Sequence, residues 1–101
     1  MIITNAQLRH AFKHAKDFGI SEGPNKQTLA KFAAKIEAHI ADPGTLAIAG
    51  TYRRREVTHF LNLITRLNII VDSDGRFLSG WKLSQQQLQH VLTNGALGGG
   101  S

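Results

Sequence analysis

The sequence predicts an α+β fold, with two N-terminal helices packed on a small antiparallel sheet of about four strands and a short C-terminal helix. Three observations predict it. Apolar residues recur at helical spacing up to Ile40, the pattern turns extended after Asp42-Pro43-Gly44, and a capping signature at Ser84 reopens a helix near the end.

Thr4 with Gln7 reads as a capping box. Leu8, Ala11, Phe12 and Ala15 then form one apolar stripe, and Gly19 is a C-terminal stop, which predicts a helix over 5–18. Asn25 is the next N-cap, and Leu29, Phe32, Ala33, Ile36 and Ile40 predict a second amphipathic helix ending before Asp42. Residues 45–52 read as a strand, Arg53-Arg54-Arg55 as a charged hairpin turn, and 56–61 as a strand with Val57, His59 and Leu61 on one face. Residues 67–71 read as a buried strand. Asp72-Ser73-Asp74-Gly75 is a hairpin turn that returns as a strand over 76–81. Ser84 with Gln87 opens the last helix, and Asn94-Gly95 ends it. Helices followed by a run of strands point to an antiparallel sheet. Residues 1–97 are expected as a single domain, and Gly98-Gly99-Gly100-Ser101 as a linker or expression remnant.

The chain has 101 residues, no cysteine and a formal charge of +5. No apolar run approaches the ~20 residues of a membrane span, and the first residues lack a signal-peptide pattern. Disulfide and thiolate-metal scaffolds are excluded. A pI near 10.1 is the electrostatic footprint of a nucleic-acid binder, although acidic proteins and membrane surfaces attract the same charge.

On a helical wheel His10, Lys13, His14 and Asp17 lie opposite the apolar stripe, with Asp17 placed to orient His14. Cleavage of RNA by its own 2′-OH needs a base, an acid and positive charge on the phosphorane. His14 can be the base or the acid, and Lys13 can hold the phosphate. A merely solvated polar face has the same pattern. His10 and His14 also match a two-histidine metal pair, but no third ligand follows, so no metal or other cofactor is expected. Arg53, Arg54 and Arg55 can grip a bent RNA backbone or simply solubilise a turn. Trp81, in Ser79-Gly80-Trp81-Lys82, can stack on an unpaired base if exposed or anchor the core if buried. Gly80 would let the backbone approach a ligand.

These residues resemble the tRNase domains that end colicin D-like bacteriocins and contact-dependent inhibition toxins. The resemblance runs from about Leu8 to Leu97. It rests on Phe12-Lys13-His14-Ala15-x-Asp17-Phe18-Gly19, Gly50-Thr51-Tyr52-Arg53, Val71-Asp72-x-x-Gly75-x-Phe77 and Ser79-Gly80-Trp81-Lys82-Leu83-Ser84. It implies a small ribonuclease with helices packed on a twisted antiparallel sheet. The implied activity is metal-independent cleavage in the tRNA anticodon loop, with arginine tRNAs as substrates. By the same resemblance His14 is the essential histidine, Lys13 the phosphate-binding lysine, and Ser79 and Trp81 the site serine and tryptophan. Two departures stand out. Family members carry a further lysine one turn before the histidine, where this chain has Ala11. They often show Asn-Pro-x-Thr where this chain reads Asn62-Leu63-Ile64-Thr65.

The resulting expectation is a toxin ribonuclease with His14, Lys13, Ser79 and Trp81 at its centre. Arg9, His10, Arg53, Arg54, Arg55 and Lys82 would bind RNA, and the product would end in a 2′,3′-cyclic phosphate. The implied partners are tRNA and a cognate acidic immunity protein; the domain would be a monomer when free and would not insert stably into a membrane. It would leave the producing bacterium within a larger toxin and act in the target-cell cytoplasm. The alternative is a non-catalytic module that binds RNA or an acidic protein.

Overall fold

The computed structural model describes residues 1–98, so the expected remnant lies, beyond Gly98, outside the described residues. The elements run α1 (Asn5–Ala11), a 3-10 helix (Phe12–Phe18), α2 (Lys26–Ala41), β1 (Thr45–Tyr52), β2 (Arg55–Asn62), β3 (Leu67–Asp72), β4 (Phe77–Lys82), α3 (Gln85–Asn94) and β5 (Ala96–Leu97). The α+β class and the helix and strand order agree with the sequence pattern. No helix among the described residues is long and apolar enough to cross a membrane.

The helix expected over 5–18 is two helices. Phe12, Ala15 and Phe18 lie three residues apart, and the threefold repeat of a 3-10 helix stacks all three against the core. The same repeat puts His14 and Asp17 in a second row. Gly19, at φ +85°, closes the segment. Thr4 caps the backbone N–H of Gln7, but the Gln7 side chain does not complete the box; it donates to Leu78 O instead. The second helix starts and stops where the sequence places it. Asn25 accepts from the N–H groups of Gln27 and Thr28, and the Thr28 hydroxyl accepts from Asn25 N–H.

The sheet order is β4-β3-β2-β1-β5. The first four strands pair antiparallel, and β5, a two-residue strand absent from the sequence prediction, pairs parallel with β1. That pairing brings backbones very close: a Cβ on Gly50 would sit 2.0 Å from Gly95 O.

Each sheet face carries a core. Against the helices lie Phe18, Phe32, Ile36, Ile69, Val71 and Phe77, with Phe32 meeting Phe12, Phe18 and Phe77 edge-on. On the other face lie Val57, Leu61, Ile70, Trp81, Leu83 and Val91, with α3. Strand β4 serves both. Its register jumps between Ile70–Ser79 and Val71–Phe77, leaving Leu78 as the extra residue of a bulge. In a regular strand over 77–81, alternation would put Ser79 and Trp81 on the same side as Phe77. The bulge re-aims them to the opposite face.

β4 is also an edge strand, and the N-terminal helices run along it. Gln7 donates to Leu78 O, and Asp17 Oδ2 accepts from Lys82 N–H at 3.0 Å. The edge is thereby covered, and the helices' polar row is brought to the end of β4.

Candidate active site

At that edge the two distant motifs meet. The rings of His14 and Trp81 lie 5.3 Å apart between centroids, and the Tyr52 ring stands 6.0 Å from that of Trp81. Trp81 is 6% exposed, so it is a wall of the site and a core anchor, not a free stacking platform. Its Nε1–H donates to Gln87 Oε1, which also accepts from Ser84 N–H. The capping box of α3 therefore fixes the indole.

Beside this wall opens a pocket of about 200 Å³ bordered by Gln7, His10, Tyr52, Arg53, Arg55 and Ser79. Ser79 is 7% exposed and reaches it from the bulged strand. The Arg53 guanidinium stacks over Tyr52 at 5.1 Å from the ring centroid. Arg53 and Arg54 form a two-residue turn between the paired residues Tyr52 and Arg55, and both have positive φ, +50° and +68°. That turn type favours Asn-Gly. Two arginines there hold their charge at the rim in a left-handed backbone region that is costly for any residue with a Cβ.

His14 is half-buried, and burial is the main reason that its pKa lies below the ordinary 6.5. The positive charge of Lys13 pushes in the same direction, Asp17 opposes it, and Lys16 and His10 add smaller downward contributions. The imidazole is therefore neutral at neutral pH, the form a general base needs. Lys13 itself is exposed.

Several expectations need correction. Asp17 makes no hydrogen bond to the imidazole among the described residues; its Oδ2 accepts from Lys82 N–H, and it acts on His14 through its charge. Arg55 is not a turn residue; it belongs to β2, and its Nη2 donates to Asp72 Oδ2 at 3.0 Å. Arg9 is not brought to the site. It lines a separate pocket with Lys26 between α1 and α2. Arg54 borders a neighbouring pocket with Arg53, Ala96 and Leu97, and Lys82 is exposed at the end of β4. Gly80 packs closely on β3, where a Cβ would lie 2.5 Å from Ile69 Cδ1 and 3.2 Å from Asn68 O. Two site-lining residues escaped the sequence reading. Tyr52 was visible only as part of Gly50-Thr51-Tyr52-Arg53, and Gln7 only as a capping partner. Among the described residues no three His, Asp or Glu side chains gather to hold a metal ion.

One further histidine is structural. His59 is fully buried; its Nε2–H is shared between Thr51 O and Gly95 O, at 3.0 and 2.8 Å, and its Nδ1 accepts from Asn68. It ties β5 and the end of α3 to β1, one residue before Tyr52. Desolvation holds its pKa below 6.5, against the two carbonyl bonds.

The family model for Colicin D matches residues 7–91, a span that contains His14, Tyr52, Ser79 and Trp81. The chain belongs to the Colicin D family. Over 80 residues it is 45% identical to Colicin-D of Escherichia coli, covering 77% of this chain but only 11% of that protein's length. The fold is similar to a solved structure described as a ribonuclease from Escherichia coli complexed with its inhibitor protein. There the TM-score is 0.80 and the identity 41%, covering 90% of this chain and all of the other. The region shared with the Colicin D family is thus the part of the chain that builds the candidate site.

Proposed function

We propose that the chain is the ribonuclease domain of a bacterial toxin and that it cuts tRNA in the anticodon loop. One observation carries the reading: the His14 imidazole packs on Trp81 beside a cationic pocket that Ser79 enters. Membership of the Colicin D family and likeness to a ribonuclease support it.

In the proposed step His14 takes the proton of a ribose 2′-OH. The 2′ oxygen attacks the adjacent phosphorus, the bond to the 5′ oxygen breaks, and the products are a 2′,3′-cyclic phosphate and a 5′-hydroxyl. Lys13 and Arg53 stabilise the phosphorane charge, and Ser79 donates to a phosphate oxygen. In this scheme His10, which borders the same pocket, returns a proton to the leaving oxygen. Trp81 holds the His14 ring and closes its inner side. No residue in this scheme calls for a metal. Arginine tRNAs are the proposed substrates, by family likeness. The same cationic pocket suits an acidic immunity protein, in keeping with the inhibitor-bound relative. The proposed setting is a secreted bacteriocin or surface-delivered toxin acting in the target-cell cytoplasm.

Incubation of purified tRNA with the protein in EDTA, read on a denaturing gel, tests this. Discrete tRNA halves are expected, and His14→Ala should cut about 10²–10⁴-fold more slowly with an unchanged far-UV CD spectrum. Intact tRNA that is bound in a salt-dependent way would instead mark a non-catalytic module.

A further inference from the structure

The cationic surface continues past Ser79. A second pocket of about 430 Å³ opens across the Gln7–Leu78 hydrogen bond, and Gln7, Arg55 and Leu78 border both pockets. Arg55 and Arg76 line it, with Asp72 beneath.

The carboxylate does not cancel the two arginines. Its Oδ1 accepts from the backbone N–H groups of Asp74 and Arg76, its Oδ2 accepts from Arg55 Nη2, and the side chain is only 5% exposed. The Arg76 N–H bond is the largest cause that holds its pKa below the ordinary 3.8, so it stays ionised and anchors Arg55. Arg55 remains 60% exposed with most of its donors unused. Arg76 is exposed, and its guanidinium has no hydrogen-bond or ion-pair partner among the described residues. A net positive charge and two guanidinium forks thus face solvent beside the candidate site.

We propose that this pocket is a phosphodiester subsite, taking a backbone phosphate that flanks the one at Ser79. The inference rests on the ribonuclease reading above. Guanidinium forks match phosphate oxygens in pairs. A nucleic-acid strand carries its charge at every residue, so a strand seated at Ser79 presents the next phosphates to the adjoining pocket. Arg76 is then the free hand of the subsite and Arg55 the hinge shared by both pockets.

The test measures binding of single-stranded 2′-O-methyl RNA, whose blocked 2′ oxygens prevent cleavage, by fluorescence anisotropy over a range of salt. Arg76→Ala should weaken a strand of about twelve nucleotides roughly tenfold at low salt and reduce the salt slope by about one. A dinucleotide should lose far less. Lys35→Ala, which removes the same charge from the exposed face of α2, should leave the longer strand within about twofold of the parent protein. The subsite is overturned if Arg76→Ala binds the longer strand as the parent does, if the dinucleotide loses as much, or if Lys35→Ala matches the loss. If the binding pattern holds but unmodified tRNA is never cut, the subsite stands and the ribonuclease reading fails.

Discussion

The two faces of the sheet follow different rules. The helix-covered face is filled by apolar side chains, with Phe32 and Ile36 wholly buried at its centre. The opposite face mixes Val57, Leu61, Ile70 and Val91 with His59, Asn68, Ser79 and Trp81, and runs at its β4 edge into the candidate site. An apolar layer tolerates no polar atom without a partner and needs none. The second layer carries chemistry, so its polar groups must satisfy one another. His59 does this with two carbonyls and Asn68, while Asn68 Oδ1 has no partner among the described residues. One face supplies stability, and the other trades some of it for placed functional groups.

The largest way to break this division is to put a polar group without a partner into the apolar layer. Phe32→Asn removes the wholly buried ring that meets Phe12, Phe18 and Phe77 and leaves an amide in its place. The expected loss is at least about 4 kcal/mol, large enough to abolish a cooperative thermal transition in a domain this size. Deleting Leu78, by contrast, leaves Ser79 opposite Ile70 and Phe77 opposite Val71, so both faces keep their residues and that variant should still melt cooperatively. A Phe32→Asn variant with an intact melting transition would show that the apolar face does not carry the stability.

The rim gives a smaller effect of opposite sign. Arg53 and Arg54 occupy left-handed positions that favour Asn-Gly. Relieving both costs the cation–π contact on Tyr52, so the double variant Arg53→Asn with Arg54→Gly should gain about 1 kcal/mol net in urea unfolding. The same variant should bind RNA several-fold more weakly, with a salt slope lower by about two. Stability gained without loss of RNA binding would remove these arginines from the proposed function.

Most of this architecture was legible in the sequence because it is written locally. Asn25 and Asp42 bracket α2, Ser84 with Gln87 opens α3, and alternation at Val57, His59 and Leu61 names the buried face of β2 correctly. What escaped depends on partners distant in the chain. Over seven residues a repeat of three is hard to tell from 3.6, so the sequence pattern runs on through the 3-10 segment as an α-helix. The Leu78 bulge is defined only by the register on β3, and β5 only by β1. Asp17 could not be assigned to Lys82, nor Arg55 to Asp72, until β4 and β2 had their places. The meeting of His14 with Trp81 came from family resemblance rather than from spacing.

The finest distinction concerns the role of His14, and pH resolves it. Its pKa is depressed, so as a base it works in the neutral form, and kcat/KM should fall on the acid side through a limb centred below 6.5. As an acid it would show the reverse, with activity falling as pH rises through the same value. Lys16 offers a clean probe, because it lowers the His14 pKa by charge alone, whereas Lys13 is also assigned to the phosphate. Lys16→Ala removes a positive neighbour, stabilises the imidazolium and moves the limb upward toward 6.5. The variant should therefore lag the parent most at mildly acid pH and approach a constant ratio above neutrality. Any uniform loss from weaker RNA binding changes the height of the profile, not the position of its limb. An unmoved limb, or one centred above 6.5 in the parent, would place the titrating group elsewhere than on His14.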